Sequence, residues 1–210
     1  MKRRSFKLSG RPKVAFIVEG NEGKWLVEAL ARKVVTRLRL EEPPCFETVR
    51  LFGAPHIMGI LSIVLILSGR GYERVIVVFD THTRDKQRIA GLLREIQLPL
   101  IKAGVSERVL LVPAVPAIAS WVLADGKALE RVAGTHLPEG TSRARGRPEA
   151  LLRQLLGDWS DREQKRVARY LEPERIRTRD KSFEAFVRAL QLALGAGANP
   201  SSEAQEPAVT

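Results

Sequence analysis

Two stretches of the chain break the usual alternation of apolar and polar positions. Val14 to Gly20 (VAFIVEG) and Val75 to Asp80 (VIVVFD) are unbroken β-branched and aromatic runs, each ending abruptly at a carboxylate, Glu19 and Asp80. A strand with one wet face alternates, whereas a strand covered by helices on both faces reads as a continuous apolar run. Both stretches are therefore expected as central strands of a helix-covered parallel sheet. Between them, Gly23 to Leu40 sets Trp25, Leu26, Ala29, Leu30, Val34, Val35 and Leu38 at helical spacing, with Lys24, Arg32, Lys33 and Arg37 off that stripe, which predicts an amphipathic helix. Pro43 and Pro44 end it, and Cys45 to Leu51 (CFETVRL) reads as a short second strand.

The run HIMGILSIVLIL before Ser68 is apolar almost all round, but too short to cross a bilayer, and reads as a buried crossover helix. A helix over Arg84 to Ala103, a fourth strand at Arg108 to Val112 (RVLLV) and a helix from Ile118 to Arg131, with Trp121 in the core, complete the alternation. This pattern implies an α/β fold: a four-stranded, mostly parallel sheet with right-handed crossovers, sandwiched by helices. The expected strand order is 2-1-3-4. The first and third strands are then neighbours at roughly 4.8 Å, and a crevice opens at their carboxyl ends, where the strand order reverses. Glu19 and Asp80 stand there, placed for chemistry. Each alone also suits a helix cap.

The expected organisation is a basic flexible arm over 1–12, the α/β domain over 13–133, an Arg/Gly-rich loop over 134–147, a helical extension over 148–194 and a disordered tail over 195–210. Helices are expected at Pro148 to Leu156, Asp161 to Tyr170 and Lys181 to Leu194.

Charge narrows the partners. The 210 residues carry 35 Lys and Arg against 24 Asp and Glu, a formal charge of +11, with mean hydropathy −0.12. This is a globular composition that favours a polyanion, nucleic acid before an acidic membrane surface. Candidate phosphate grips are Lys2, Arg3 and Arg4 in the arm, Lys24, Arg84 and Lys86 near the acids, and Arg143, Arg145 and Arg147 in the loop. The single Cys45 excludes an internal disulfide or a thiolate zinc cluster, and no targeting segment is visible, which points to the cytoplasm. No motif suggests a serine or cysteine nucleophile, a P-loop or a dinucleotide fingerprint.

An acid after each of two adjacent strands suits a hard cation such as Mg²⁺, which takes one or two carboxylates and completes its shell with water and substrate phosphate. In a basic protein this fits phosphodiester chemistry. His82 is a candidate third ligand, and an imidazole moves the preference from Mg²⁺ toward Mn²⁺. Asp85 and Glu22 are further candidates, although Asp85 reads more readily as an acid at a helix N-terminus. His56 and His136 lack partners in the sequence.

VEG closing the first strand and FDTH closing the third resemble the Toprim fold of topoisomerases, primases and overcoming-lysogenization-defect nucleases. PAIASWVLAD (Pro116 to Asp125) and YLEPERIRTRDKSFEAFVRAL (Tyr170 to Leu190) resemble a small stand-alone Toprim-like family often found beside ATPase genes. The resemblance implies a metal-dependent nuclease with Mg²⁺ or Mn²⁺, Glu19 and Asp80 as catalytic and metal-binding acids, and an AAA/ABC-type ATPase subunit as partner in bacterial defence or DNA processing. Three positions depart from the pattern: Gly23 stands where VEGxxE has its second Glu, His82 replaces the second Asp of Asp-x-Asp, and Ala119 replaces an acid two residues before Trp121. A domain that has lost cleavage and only binds nucleic acid or the ATPase is the alternative.

Overall fold

The computed structural model describes residues 11–19, 22–38, 40, 42–51, 57–137 and 147–195, the side chains of residues 22, 57 and 58 excepted. Lys2, Arg3, Arg4, His56, Arg143, Arg145 and the expected tail from 196 onward lie outside them.

Four strands, β1 (Lys13–Glu19), β2 (Cys45–Leu51), β3 (Arg74–Asp80) and β4 (Val109–Ala114), form one all-parallel sheet in the order β2-β1-β3-β4. The unbroken apolar runs are explained by cover on both faces. Val14, Phe16, Val18, Ile76 and Val78 enter one core, while Ala15, Ile17, Val75, Val77 and Phe79 enter the other. The first core is deep. It holds α1 (Glu22–Arg37), α4 (Ala119–Ala124), α5 (Gly126–Ala133), α6 (Pro148–Leu156), α7 (Asp161–Ala168), α8 (Pro173–Arg177) and α9 (Lys181–Ala193). Trp121 is fully buried there, edge-on to Phe183 and tilted against Phe186 with ring centroids 5.2 and 5.3 Å away, and its indole N–H donates to Ser182 Oγ at 2.8 Å. The second core is a single layer made by α2 (Ile57–Gly69) and α3 (Lys86–Lys102).

Three expectations are corrected. α2 is not buried all round: Ile60, Val64 and Leu67 face the sheet, whereas Leu65 and Ile66 are 49% and 61% exposed. The helix expected over Ile118 to Arg131 breaks at Asp125, which ends α4 and, through its carboxylate, caps α5 by accepting from Ala128 N at 3.3 Å. A short helix, α8, stands between the two expected over the C-terminal region; Glu172 precedes it and Pro173 occupies its first position, where a missing N–H costs nothing. The helices of residues 148–193 are not peripheral. α9 packs on β3 and β4, and α7 packs along α1, where Trp25 donates to Asp161 Oδ2 at 2.9 Å and lies under Lys165.

Candidate functional site

Glu19 and Asp80 end the two central strands at the same edge of the sheet. Pairing of Val18 with Val78 sets Glu19 beside Phe79 and Asp80 one residue further out. Alternation along each strand sends Glu19 toward the α2/α3 side and Asp80 toward the α1/α4 side. The two carboxylates thus leave the sheet on opposite sides of the β1–β3 seam and are linked through the Asp80 backbone rather than side by side. Glu19 Oε2 accepts from the backbone N–H of Asp80 at 3.3 Å, and Asp80 Oδ1 accepts from Ile118 N at 2.8 Å. The Glu19 side chain is 15% exposed. Burial raises its pKa from the ordinary carboxylate range, opposed by the nearby His82 and by the bond from Asp80 N.

His82 stands over this edge with its side chain 72% exposed and Nε2 4.0 Å from Glu19 Oε1. It is the one non-glycine residue among those described with positive φ, at 50°, a left-handed conformation that His, Asn and Asp adopt more readily than other side chains. Neighbouring bonds hold it there: His82 N donates to Pro116 O at 2.8 Å, and Thr81, nearly buried, donates through its backbone N–H to Ala114 O at 3.1 Å and through Oγ1 to Thr83 O at 2.7 Å. The loop after β3 is therefore tied to the loop after β4, and the edge is rigid.

From His82 a cleft of about 740 Å³ runs between Thr83, Arg84, Pro116 and Ala117 on one side and Arg147, Glu149 and Arg153 on the other. Three arginines against one glutamate make it attractive to phosphate. Of the candidate grips, Arg84 and Arg147 meet here. Lys86 is exposed at the start of α3, and Lys24 leans its ammonium over the Trp25 ring at 5.2 Å; neither lines this cleft. Arg153 was not expected; the arginines running into the helix at Pro148 were the available signal. Asp85 caps α3, its Oδ1 accepting from Gln87 N and Arg88 N at 2.8 and 3.2 Å, which satisfies the bland expectation for it. Glu22 opens α1, close in sequence to Glu19. His136 lies 3.4 Å from Glu130, on the surface.

Two of the positions at which the resemblance lacks an acid, Gly23 and Ala119, are closely packed. A Cβ on Gly23 would meet Ile118 Cδ1, the flexible end of a side chain, at 2.9 Å and Val18 Cβ at 3.2 Å, so a side chain there requires Ile118 to shift and Val18 to give by a few tenths of an ångström. Ala119 is 4% exposed within the core. Among the described residues no group of three or more His, Cys, Asp or Glu is arranged to hold a metal. The edge offers two carboxylates and a nearby imidazole that do not form such a group, so a cation held there would keep most of its water. The edge does not fit a multi-ligand cage.

No family model, curated protein or solved structure matches this chain. Among the described residues no helix is long and apolar enough to cross a membrane.

Proposed function

We propose that this chain is a Toprim-like domain that binds nucleic acid in the cytoplasm and cleaves phosphodiester bonds with one divalent cation, Mn²⁺ before Mg²⁺, working with an ATPase subunit. The observation that carries the reading is the joint placement of Glu19 and Asp80 at the switch point of the sheet, beside His82, which itself lines a cleft with Arg84, Arg147 and Arg153. Glu19 and Asp80 would hold the cation, which when bound polarises a phosphoryl oxygen and lowers the pKa of a bound water. The chain's own groups do the rest. Arg84 and Arg147 orient the phosphate, and the bond from Ile118 N fixes the rotamer of Asp80. The exposed imidazole of His82 stands within reach of the same space as a ligand or a proton carrier.

The absence of a three-ligand group among the described residues favours a second reading, a domain that binds without cutting. One experiment separates them. A panel of DNA and RNA substrates is incubated with wild type, Glu19→Gln and Asp80→Asn in Mn²⁺ and in Mg²⁺, with and without a candidate ATPase. Both substitutions keep an oxygen acceptor for the bonds from Asp80 N and Ile118 N, so folding is retained. Cleavage by wild type, stronger in Mn²⁺, and its loss in both variants is the expected outcome. A wild type inert in both metals, yet with salt-dependent binding, would replace the nuclease with the binding module.

A further inference from the structure

The large hydrophobic side chains left in water are not scattered. Of the five that are exposed among the described residues, four lie on α2 and α3: Leu65, Ile66, Leu98 and Ile101, all about half exposed or more. Both helices cross from one parallel strand to the next on the same side of the sheet and pack against each other, so they run parallel. The four side chains fall in the last two turns of each helix. Their patch is thus at the end of the molecule opposite Glu19 and Asp80.

We propose that this α2/α3 face is where a second copy of the chain docks, giving a weak, two-fold dimer with both candidate clefts left open. The inference is independent of the reading of the Glu19–Asp80 edge. Charge selects the occupant: a chain of +11 repels itself wherever its basic surfaces meet, yet the 13 residues of α2 carry no charged side chain at all. α3 exposes Lys86 and Arg88 in its first turns, away from the patch, and Arg94, Glu95 and Lys102 beside it, so that a two-fold contact can set Glu95 of one copy against a cation of the other. The chain's own remaining segments do not suit an Ile/Leu face. Residues 196–210 contain nothing larger and apolar than Val209, and residues 1–10 carry four basic residues around Phe6 and Leu8.

Size sets the strength. At 1.5 Å per residue α2 and α3 are roughly 20 and 25 Å long, and two helices about 10 Å apart present an outer face on the order of 400 Å² in projection. That is the low end of specific interfaces, for which about 800 Å² per partner is standard. The association is therefore concentration-dependent, not obligate.

The test is sedimentation equilibrium of the full chain from low to high micromolar concentration, on wild type, Ile66→Asp, Leu98→Asp and, as a control on α9, Leu192→Asp, each checked for folding by circular dichroism. The expected result is a wild-type monomer–dimer equilibrium weakened ~10-fold or more by Ile66→Asp and by Leu98→Asp, and unchanged in Leu192→Asp. The two test residues lie on different helices, so one misfolded variant leaves the other to decide. A wild type that stays monomeric throughout overturns the proposal, as does a dimer indifferent to both substitutions. Monomeric protein that floats with phosphatidylglycerol–phosphatidylcholine vesicles, and loses this with Ile66→Asp, overturns it in favour of a lipid surface.

Discussion

Two carboxylate sites in this molecule are built to opposite specifications. Asp125 is fully buried and saturated: Oδ1 accepts from Arg175 Nε at 2.7 Å and Ala128 N at 3.3 Å, while Oδ2 accepts from Glu172 N at 2.7 Å and Arg175 Nη2 at 3.0 Å. This pair pins α4, α5 and the start of α8 to one another. Glu19 is under different rule. Its described bond is a long one from a backbone N–H, the exposed imidazole of His82 stands 4.0 Å away, and burial raises its pKa. A carboxylate surrounded by donors is part of the framework; one desolvated at the end of a strand with a single long bond among the described residues is a candidate for binding a ligand.

The sharpest way to break this contrast is to remove each acid in turn. Asp125→Ala strands Arg175 beside a void and is expected to cost about 3–5 kcal/mol, read as a large drop in thermal midpoint. Replacing both partners with apolar residues, Asp125→Leu with Arg175→Met, should recover much of that loss. Asp80→Asn and Glu19→Gln should leave the midpoint within about 1 kcal/mol of wild type while lowering Mn²⁺-dependent cleavage ~100-fold or more. If instead Asp80→Asn unfolds the chain, the edge is framework as well.

A smaller effect is expected at Gly23. Gly23→Ala forces a methyl against Ile118 and Val18 and should cost about 1–3 kcal/mol by overpacking, measured by denaturant unfolding. Gly23→Glu should restore no Mg²⁺ activity, whereas His82→Asp, in a backbone conformation that Asp tolerates, should raise it.

The smallest effect concerns Glu184, whose pKa is lowered first by its hydrogen bond from Arg177 and then by Arg188. A group with a depressed folded pKa stabilises above its unfolded pKa and loses that contribution as pH falls through the folded value. Glu184→Gln should therefore flatten the acid side of the stability profile by a few tenths of a kcal/mol, since the pair is partly exposed.

The sheet was legible because its signal is physical and local. Runs such as VAFIV and VIVVF have no polar position to offer water, so they must be covered on both faces, and right-handed crossovers then dictate β2-β1-β3-β4 and the edge shared by Glu19 and Asp80. What stayed hidden depends on tertiary partners. Asp125 reads as one polar position inside a helix over Ile118 to Arg131 until Arg175, fifty residues on, is seen against it. α2 reads as buried because hydropathy cannot tell a core from an unpartnered face, and Arg153 enters the cleft only through the packing of α6 on α4. The close packing of Gly23, with Ile118 Cδ1 only 2.9 Å from where a Cβ would stand, likewise depends on tertiary partners.

The most direct test of the claim that the Glu19–Asp80 edge is a cation site is Mn²⁺ binding itself, followed by the electron paramagnetic resonance of free Mn²⁺ titrated with wild type, Glu19→Gln and Asp80→Asn. One Mn²⁺ bound per wild-type chain, and loss of that binding in each variant while circular dichroism stays unchanged, is the predicted result. Wild type that binds no Mn²⁺, or variants that bind it as tightly as wild type, would contradict the account.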